Sequence, residues 1–307
     1  MQTTLKSSEI EGVDLELTNR CNLRCPICLS RLPQFKSAFP KKDVDVDSLF
    51  ALLDTFTGLE LVSIAGDASE PTLHPRIFDI LDYLKERNVE VELYTNASLH
   101  DDSWWTELNR HFNGNSTVFF TICGTTQELH AKYRVGSKLE DVIRHALAFR
   151  KGNPNGNDYM QYIRFDYNRD DPPGRIDSIL DQFSRHGVLN TDPVAERFDL
   201  DAMMDKGICS TRLFSFMYRR KLIDVRAKRK RNIDCYSLRN RYVRIDPNLV
   251  VSPCICWRLY DDKSFLKPDG TMDYSSICGD RHDFCYECDS EMVAFLDRTN
   301  RDAFYMC

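Results

Sequence analysis

The sequence predicts an α/β protein in two parts: a partial (β/α)6 barrel over residues 1–190 and a small cysteine-rich domain over residues 191–307. Strand-like and helix-like segments alternate about six times in the first part, which is typical of parallel strands joined by right-handed crossovers. After residue 190 this alternation stops, and seven of the 12 cysteines lie from Cys235 onward.

Each element follows from apolar spacing and from capping or turn residues. The strands are predicted at Val13–Leu17, Leu59–Ile64, Val89–Tyr94, Ser116–Ile122 and Tyr159–Phe165. The helices are predicted at 47–56, with Asp47 as the cap, and at Pro75–Arg87, Asp102–Phe112, Leu139–Arg150 and Arg175–His186. In the second part, Tyr242–Ile245 and Leu249–Ser252 predict a β-hairpin, and Asp289–Asn300 predicts a final helix.

Composition excludes several classes of protein. Hydrophobic residues make up 42% and charged residues 29%, which indicates a globular chain with a substantial core. A net charge of −6 argues against a general nucleic-acid binder, and no apolar run is long enough for a membrane span. Because the N-terminus lacks a signal-peptide core, we expect a cytoplasmic protein with reduced cysteines.

A basic stretch runs from Tyr218 to Arg231. A solvated, partly helical face is the favoured interpretation. The alternative is a docking site for an acidic peptide or a redox protein.

Three cysteines, Cys21, Cys25 and Cys28, form a C-x3-C-x2-C loop directly after the first predicted strand. Thiolates suit zinc and iron–sulfur clusters. Structural zinc usually takes four ligands, and no fourth Cys or His lies nearby in the sequence. A 4Fe–4S cluster held by three cysteines keeps one iron open for a substrate or cofactor. A zinc loop or three unrelated cysteines are the alternatives.

The run Leu-Thr-Asn-Arg-Cys-Asn-Leu-Arg-Cys at 17–25 resembles the cluster loop of radical S-adenosylmethionine (SAM) enzymes. This resemblance implies that Cys21, Cys25 and Cys28 bind a catalytic 4Fe–4S cluster and that SAM is the cofactor. The segment Ser63–Pro75 is similar to the family's Gly-Gly-Glu-Pro segment, with Ala65, Gly66 and Asp67 in the glycine-rich place before Glu70. A plain βα turn is the alternative.

Two further strand ends resemble the family. Asn96 lies in a segment similar to Thr-Asn-Gly, which implies a contact with SAM, although Asn96 could equally cap a turn. Thr121 and Arg134 match a strand-end motif, which implies that Thr121 contacts the ribose and Arg134 pairs with the SAM carboxylate. A surface arginine is the competing interpretation. Cys123 stands where relatives usually have Asp; we expect a buried structural thiol, with hydrogen-atom donation as the alternative.

The C-terminal cysteines resemble the auxiliary-cluster domain of radical SAM enzymes, in its short form called the twitch domain. On that match, Cys235, Cys254, Cys285 and Cys288 bind one auxiliary 4Fe–4S cluster. The two-cluster SPASM form has a longer cysteine run that is absent here. Cys256, Cys278 and Cys307 could substitute as ligands, and a structural zinc ribbon is the alternative.

The resemblance implies reductive cleavage of SAM to a 5′-deoxyadenosyl radical, which takes hydrogen from a substrate C–H bond. Maturation of a ribosomally made peptide, by cross-linking, epimerisation or backbone excision, is the leading expectation. The barrel begins early in the sequence, so a separate protein is expected to present the peptide, and flavodoxin or ferredoxin to supply the electron. Oxidation of a sugar or aminocyclitol alcohol is the second hypothesis. A non-enzymatic electron-transfer protein is the third.

Overall fold

The structure, a computed structural model, describes residues 4–26, 28, 41–65, 69–152, 157–183, 185–190, 241–253 and 264–274. Contacts divide the chain into two compact units. The first contains Met1–Glu16, Val44–Val62 and Thr211–Cys307, and the second contains Leu17–Asp43 and Ser63–Ser210. The boundary at residue 190 expected from the sequence stays a prediction.

The described elements alternate between strand and helix. The strands are β1 (Thr4–Lys6), β2 (Gly12–Leu15), β3 (Leu61–Ile64), β4 (Glu90–Thr95), β5 (Thr117–Ile122), β6 (Asp158–Arg164), β7 (His186–Asn190), β8 (Tyr242–Ile245), β9 (Val251–Ser252) and β10 (Thr271–Asp273). The helices are α1 (Val46–Leu53), α2 (Ile77–Glu86), α3 (Asp102–Leu108), α4 (Gln127–Tyr133), α5 (Leu139–Gly152) and α6 (Pro173–Leu180).

Three local details differ from the sequence-based expectation. The cap of α1 is Asp45 and not Asp47, because the Asp45 side chain accepts a hydrogen bond from the Ser48 amide. Helix α6 ends at Leu180, and β7 begins at His186, where a single helix was expected. Helix α4 was not predicted, since its seven residues carry no strong apolar period.

The second unit contains a parallel sheet with the strand order β7-β6-β5-β4. Strand β5 is buried along its whole length, so one face packs against helices and the other against further strand residues. On the helix side, Phe120 meets Trp105 and Phe149. On the opposite side, Phe119 stacks on Tyr94 and contacts Tyr159. The predicted α/β fold with parallel strands is confirmed.

In the first unit, β8 pairs with β2 in parallel and β9 pairs with β8 antiparallel, so the predicted hairpin is present. Arg244, on β8, is 1% exposed. It donates hydrogen bonds to Asp14 Oδ2 and to Glu16 Oε2, each at 2.7 Å. These ion pairs join strands whose residues are 228 or 230 positions apart in the sequence. Strands β1 and β10 form a separate antiparallel pair.

Across the described parts of the chain, no helix combines the length and the apolar character that a membrane crossing requires. The predicted final helix, Asp289–Asn300, lies outside the described residues.

Candidate functional site

The cysteine loop is fixed at its start by Arg20 and Asp43. The Arg20 guanidinium forms an ion pair with Asp43 at 2.6 Å, and Asp43 Oδ1 also accepts a hydrogen bond from Thr18 Oγ1. Arg20 further donates to the Leu73 carbonyl at 3.0 Å, while its own carbonyl accepts from the Glu70 amide at 2.8 Å. The loop is therefore attached to the segment that follows β3.

Of the three predicted ligands, Cys25 is buried, and Cys21 and Cys28 are half-buried. Burial raises the pKa of Cys21 to about 12, and Glu70, Cys25 and Cys28 add to that rise. Burial also raises the pKa of Cys25 to about 12, against the opposing charge of Arg134. The pKa of the Cys21 thiol therefore depends on both other cysteines of the loop.

This donor set fits a cluster held by three cysteines. Each cysteine in a 4Fe–4S cluster binds its own iron, and hydrogen bonds to the sulfurs tune such sites. The Leu23 amide donates to Cys21 Sγ at 3.4 Å, and Asn96 Nδ2 lies 3.8 Å from the same sulfur. Among the residues that the structure describes, no three His, Cys, Asp or Glu side chains come together in a group able to hold one metal ion.

Glu70 is a buried carboxylate that organises the next two strand ends. It is 1% exposed, and it accepts four hydrogen bonds: from the Thr72 amide and hydroxyl, from Thr95 Oγ1, and from the Asn96 amide. Burial raises the pKa of Glu70, and these donors oppose the rise. The carboxylate thus ties the segment after β3 to the end of β4.

Asn96 links the end of β4 to the cysteine loop. Its Nδ2 donates to Asn22 Oδ1 at 3.0 Å, and its Oδ1 accepts from the Ser98 amide, also at 3.0 Å. Asn22 in turn donates to Ser98 Oγ. Asn96 therefore caps a turn and also holds the loop that carries Cys21. Its contact with SAM stays a prediction.

The connection from β5 to α4 returns the chain to the same end of the sheet. The Cys123 amide donates to His130 Nδ1, and the Cys123 carbonyl accepts from Tyr167 Oη and Asn168 Nδ2. A side chain at Gly124 would place its Cβ 2.6 Å from the His130 amide nitrogen, so glycine is needed for this close approach. The Arg24 amide donates to the Val135 carbonyl, which attaches the cysteine loop to this connection as well.

Arg134, at the C-terminal end of α4, points back at β5. Its Nη2 donates to Thr121 Oγ1 at 2.5 Å, and its positive charge acts on the Cys123 and Cys25 thiols. Its Nε is buried, and within the described ranges it has no hydrogen-bond partner. No carboxylate of the described residues pairs with Arg134. The side chain is half-buried, and its pairing with the SAM carboxylate stays a prediction.

The remaining predicted residues divide into two groups. Ala65 is 8% exposed at the end of β3, and Cys123 is completely buried, where burial raises the pKa of its thiol. Gly66, Asp67 and the predicted auxiliary ligands Cys235, Cys254, Cys285 and Cys288 lie outside the described residues, as do Cys256, Cys278 and Cys307. Their assignments stay predictions.

The sequence analysis missed the anchoring roles of Arg20 and His130. Each is a single polar residue, in a loop or in a short helix, and no sequence pattern around it indicates that it binds another segment. It also missed Gln161, a polar residue inside the apolar strand β6. That break in an apolar run was a visible signal.

A family model matches part of this chain. The model of the radical SAM superfamily matches residues 15–163. A tungsten-containing aldehyde ferredoxin oxidoreductase cofactor-modifying protein from Pyrococcus furiosus is 34% identical over 111 residues, which are 35% of this chain and 29% of that protein. The chain thus aligns with less than a third of this curated relative.

Solved structures share the fold. Streptococcus suis SuiB bound to its precursor peptide SuiA has a TM-score of 0.56 at 16% identity, covering 95% of this chain and 74% of SuiB. The protein anSMEcpe with AdoMet and the Cp18Cys peptide has a TM-score of 0.53 at 16% identity, covering 90% and 80% of the two chains. Residues 15–163, which carry the three-cysteine loop and the parallel strands of the sheet, match the model of the radical SAM superfamily.

Proposed function

We propose that this protein is a radical SAM enzyme that binds a 4Fe–4S cluster through Cys21, Cys25 and Cys28 and binds SAM beside Thr121 and Arg134. When bound, cluster and SAM together supply a 5′-deoxyadenosyl radical that takes hydrogen from a substrate C–H bond. The observation that carries the proposal is the Arg134 guanidinium. It lies beside the cysteine loop, lacks a carboxylate partner among the described residues, and keeps a buried, unpartnered Nε.

The chain's own residues have two kinds of task in this proposal. Arg134 offers a planar fork of donors that suits the carboxylate of SAM, and Thr121 holds that fork in place. Glu70, Asn96 and Arg20 position the loops by the hydrogen bonds described above. Ala65, Gly66 and Asp67 would present backbone groups to the amino group of SAM. None of these tasks requires a change of protonation in the protein.

The proposed substrate is a peptide. Structures that share this fold include SuiB with a precursor peptide and anSMEcpe with a peptide, which supports this substrate class over others. A separate leader-binding protein and a flavodoxin or ferredoxin would be the partners. A small-molecule substrate is the second candidate, favoured by the curated relatives named as a cofactor-modifying protein and as a GTP 3′,8-cyclase.

A metal count after anaerobic reconstitution tests the cluster assignments. We expect about eight irons per chain, four at the catalytic site and four at an auxiliary site formed by Cys235, Cys254, Cys285 and Cys288. Replacing Cys21, Cys25 and Cys28 together with Ala should leave about half of the iron and abolish SAM cleavage. Cys123→Ala is the matched control and should leave the iron content unchanged.

The outcomes separate the two clusters. About four irons in the unmodified protein, lost in the triple variant, would keep the radical SAM assignment and remove the auxiliary cluster. A protein that holds zinc and no iron would contradict the whole proposal. Incubation with a short peptide encoded by a neighbouring gene, followed by mass spectrometry, then tests the substrate class.

A further inference from the structure

Beyond the predicted ligands, the sheet of the second unit carries a buried polar side chain next to Thr121 that has no assigned role. Gln161, in the middle of β6, is 2% exposed. Its Oε1 is buried and has no hydrogen-bond partner in the described part of the chain. A buried amide oxygen without a donor costs free energy, so such a group in a native protein requires an explanation.

The register of the sheet shows where Gln161 lies. In the parallel pairing of β5 with β6, Gln161 is opposite Thr121, and Tyr159 is opposite Phe119. The rings of Phe119 and Tyr159 are in contact, at 5.1 Å between centroids, so these paired residues share one face. Residues two positions further along a strand lie on that same face. Thr121 and Gln161 are therefore side by side, on adjacent strands about 4.8 Å apart.

These two side chains offer complementary acceptors. Thr121 Oγ1 accepts one hydrogen bond from Arg134 Nη2 and retains a second lone pair. Gln161 Oε1 is unpartnered beside it. Two oxygen acceptors on neighbouring strands match a ligand that carries two adjacent hydroxyl groups, and a ribose has such a pair.

We propose that Gln161 binds a ribose hydroxyl of SAM, so that the ribose diol bridges Thr121 and Gln161. This inference rests on the proposed function, since it requires SAM beside Thr121 and Arg134. Gln161 is then a specificity residue that distinguishes a ribonucleoside from a deoxynucleoside. A site built to hydrogen-bond a hydroxyl discriminates strongly against a ligand that lacks it, because the buried acceptor is left unpaired.

The test measures equilibrium binding to the anaerobically reconstituted protein and does not depend on turnover. Two probes are titrated: SAM, and a SAM analogue with a 2′,3′-dideoxyribose. Gln161→Leu keeps the volume but removes the acceptor, and Gln161→Glu keeps an acceptor. Gln182→Leu is the matched control, since Gln182 is exposed and donates to the Ser178 carbonyl. Iron content and thermal unfolding verify that each variant is folded and loaded.

We expect Gln161→Leu to bind SAM about five- to thirtyfold more weakly than the unmodified protein, with no change for the dideoxy analogue. Gln161→Glu should retain the preference for SAM over the analogue. Equal SAM affinity in Gln161→Leu, or an equal loss for both probes, would overturn the inference while leaving the proposed function in place. An unmodified, cluster-loaded protein that binds neither probe would instead refute the proposed function, and the inference with it.

Discussion

Two arginines in this protein are held in opposite ways. Arg244, in the first unit, is 1% exposed and pairs with two carboxylates, Asp14 and Glu16. Arg134, in the second unit, donates to the Thr121 hydroxyl, and no carboxylate of the described residues pairs with it. The first arrangement has its counter-charges within the protein. The second leaves a cation for a ligand to neutralise.

The difference indicates how a structural arginine can be distinguished from a binding one. A buried charge needs a partner, and when the protein supplies it, the residue holds elements together. When no carboxylate of the described residues pairs with the cation, as at Arg134, a bound anion is the partner that would supply the counter-charge. Four predictions test this contrast.

The largest effect is expected at Arg244. Replacing it with Ala leaves two buried carboxylates without their cation, so the free energy of unfolding should fall by about 3–5 kcal/mol. Urea denaturation followed by circular dichroism measures this loss. Replacing Arg244, Asp14 and Glu16 together with apolar residues should recover most of it. A loss below about 1 kcal/mol for Arg244→Ala would show that the ion pairs are not what joins β8 to β2.

Replacing Arg134 should weaken ligand binding, whereas replacing Arg244 should reduce stability. On the proposed function, Arg134→Ala removes a charge-assisted pair with the SAM carboxylate, so the binding free energy of SAM should weaken by about 1.5–3 kcal/mol while the iron content stays unchanged. Calorimetric titration of SAM into the reconstituted protein measures it. Arg110→Ala, at an exposed arginine paired with Glu107, is the control. If SAM binds the Arg134 variant normally, the match of the β5 motif to the family is wrong.

His130, which anchors the α4 connection, should make this region sensitive to acid. Burial lowers the pKa of His130 to about 3, from a usual value of 6.5. The folded state therefore prefers the neutral ring, and stability should fall as pH decreases from 6.5, by up to about 1.4 kcal/mol per pH unit. His130→Asn should flatten that slope in urea denaturation at several pH values. An unchanged slope would mean that another group dominates.

Glu16 should have the opposite and smallest effect. Burial raises the pKa of Glu16, and Asp14 and Asp246 add to the rise while Arg244 opposes it. The folded state therefore binds the Glu16 proton more tightly than the unfolded state does. Its contribution to the free energy of unfolding is complete below about pH 4.5 and is lost as the pH rises through the folded-state pKa. Glu16→Gln should remove that loss, and Glu60→Gln, at an exposed site, should not. A steeper slope in Glu16→Gln would contradict the assignment.

The strand positions were largely predictable from the sequence, because buried parallel strands are continuous apolar runs and those runs are visible. The cysteine loop was predictable from its spacing. The cap at Asp45 and the short helix α4 were not, since each depends on one or two hydrogen bonds. The pairing of Arg244 with Asp14 and Glu16 was also beyond a local pattern, because nothing near β2 specifies a partner 228 residues away.

That separation has a consequence for synthesis on the ribosome. At about 5–20 residues per second, Arg244 is made roughly 10 to 50 seconds after Glu16. Throughout that interval the growing chain contains Asp14 and Glu16 without the cation that pairs with them in the folded protein. The two carboxylates therefore cannot enter a dry core early, and strand β2 is expected to remain hydrated in the nascent chain. The first unit would complete its folding last, although its segment Met1–Glu16 precedes the whole second unit in the sequence.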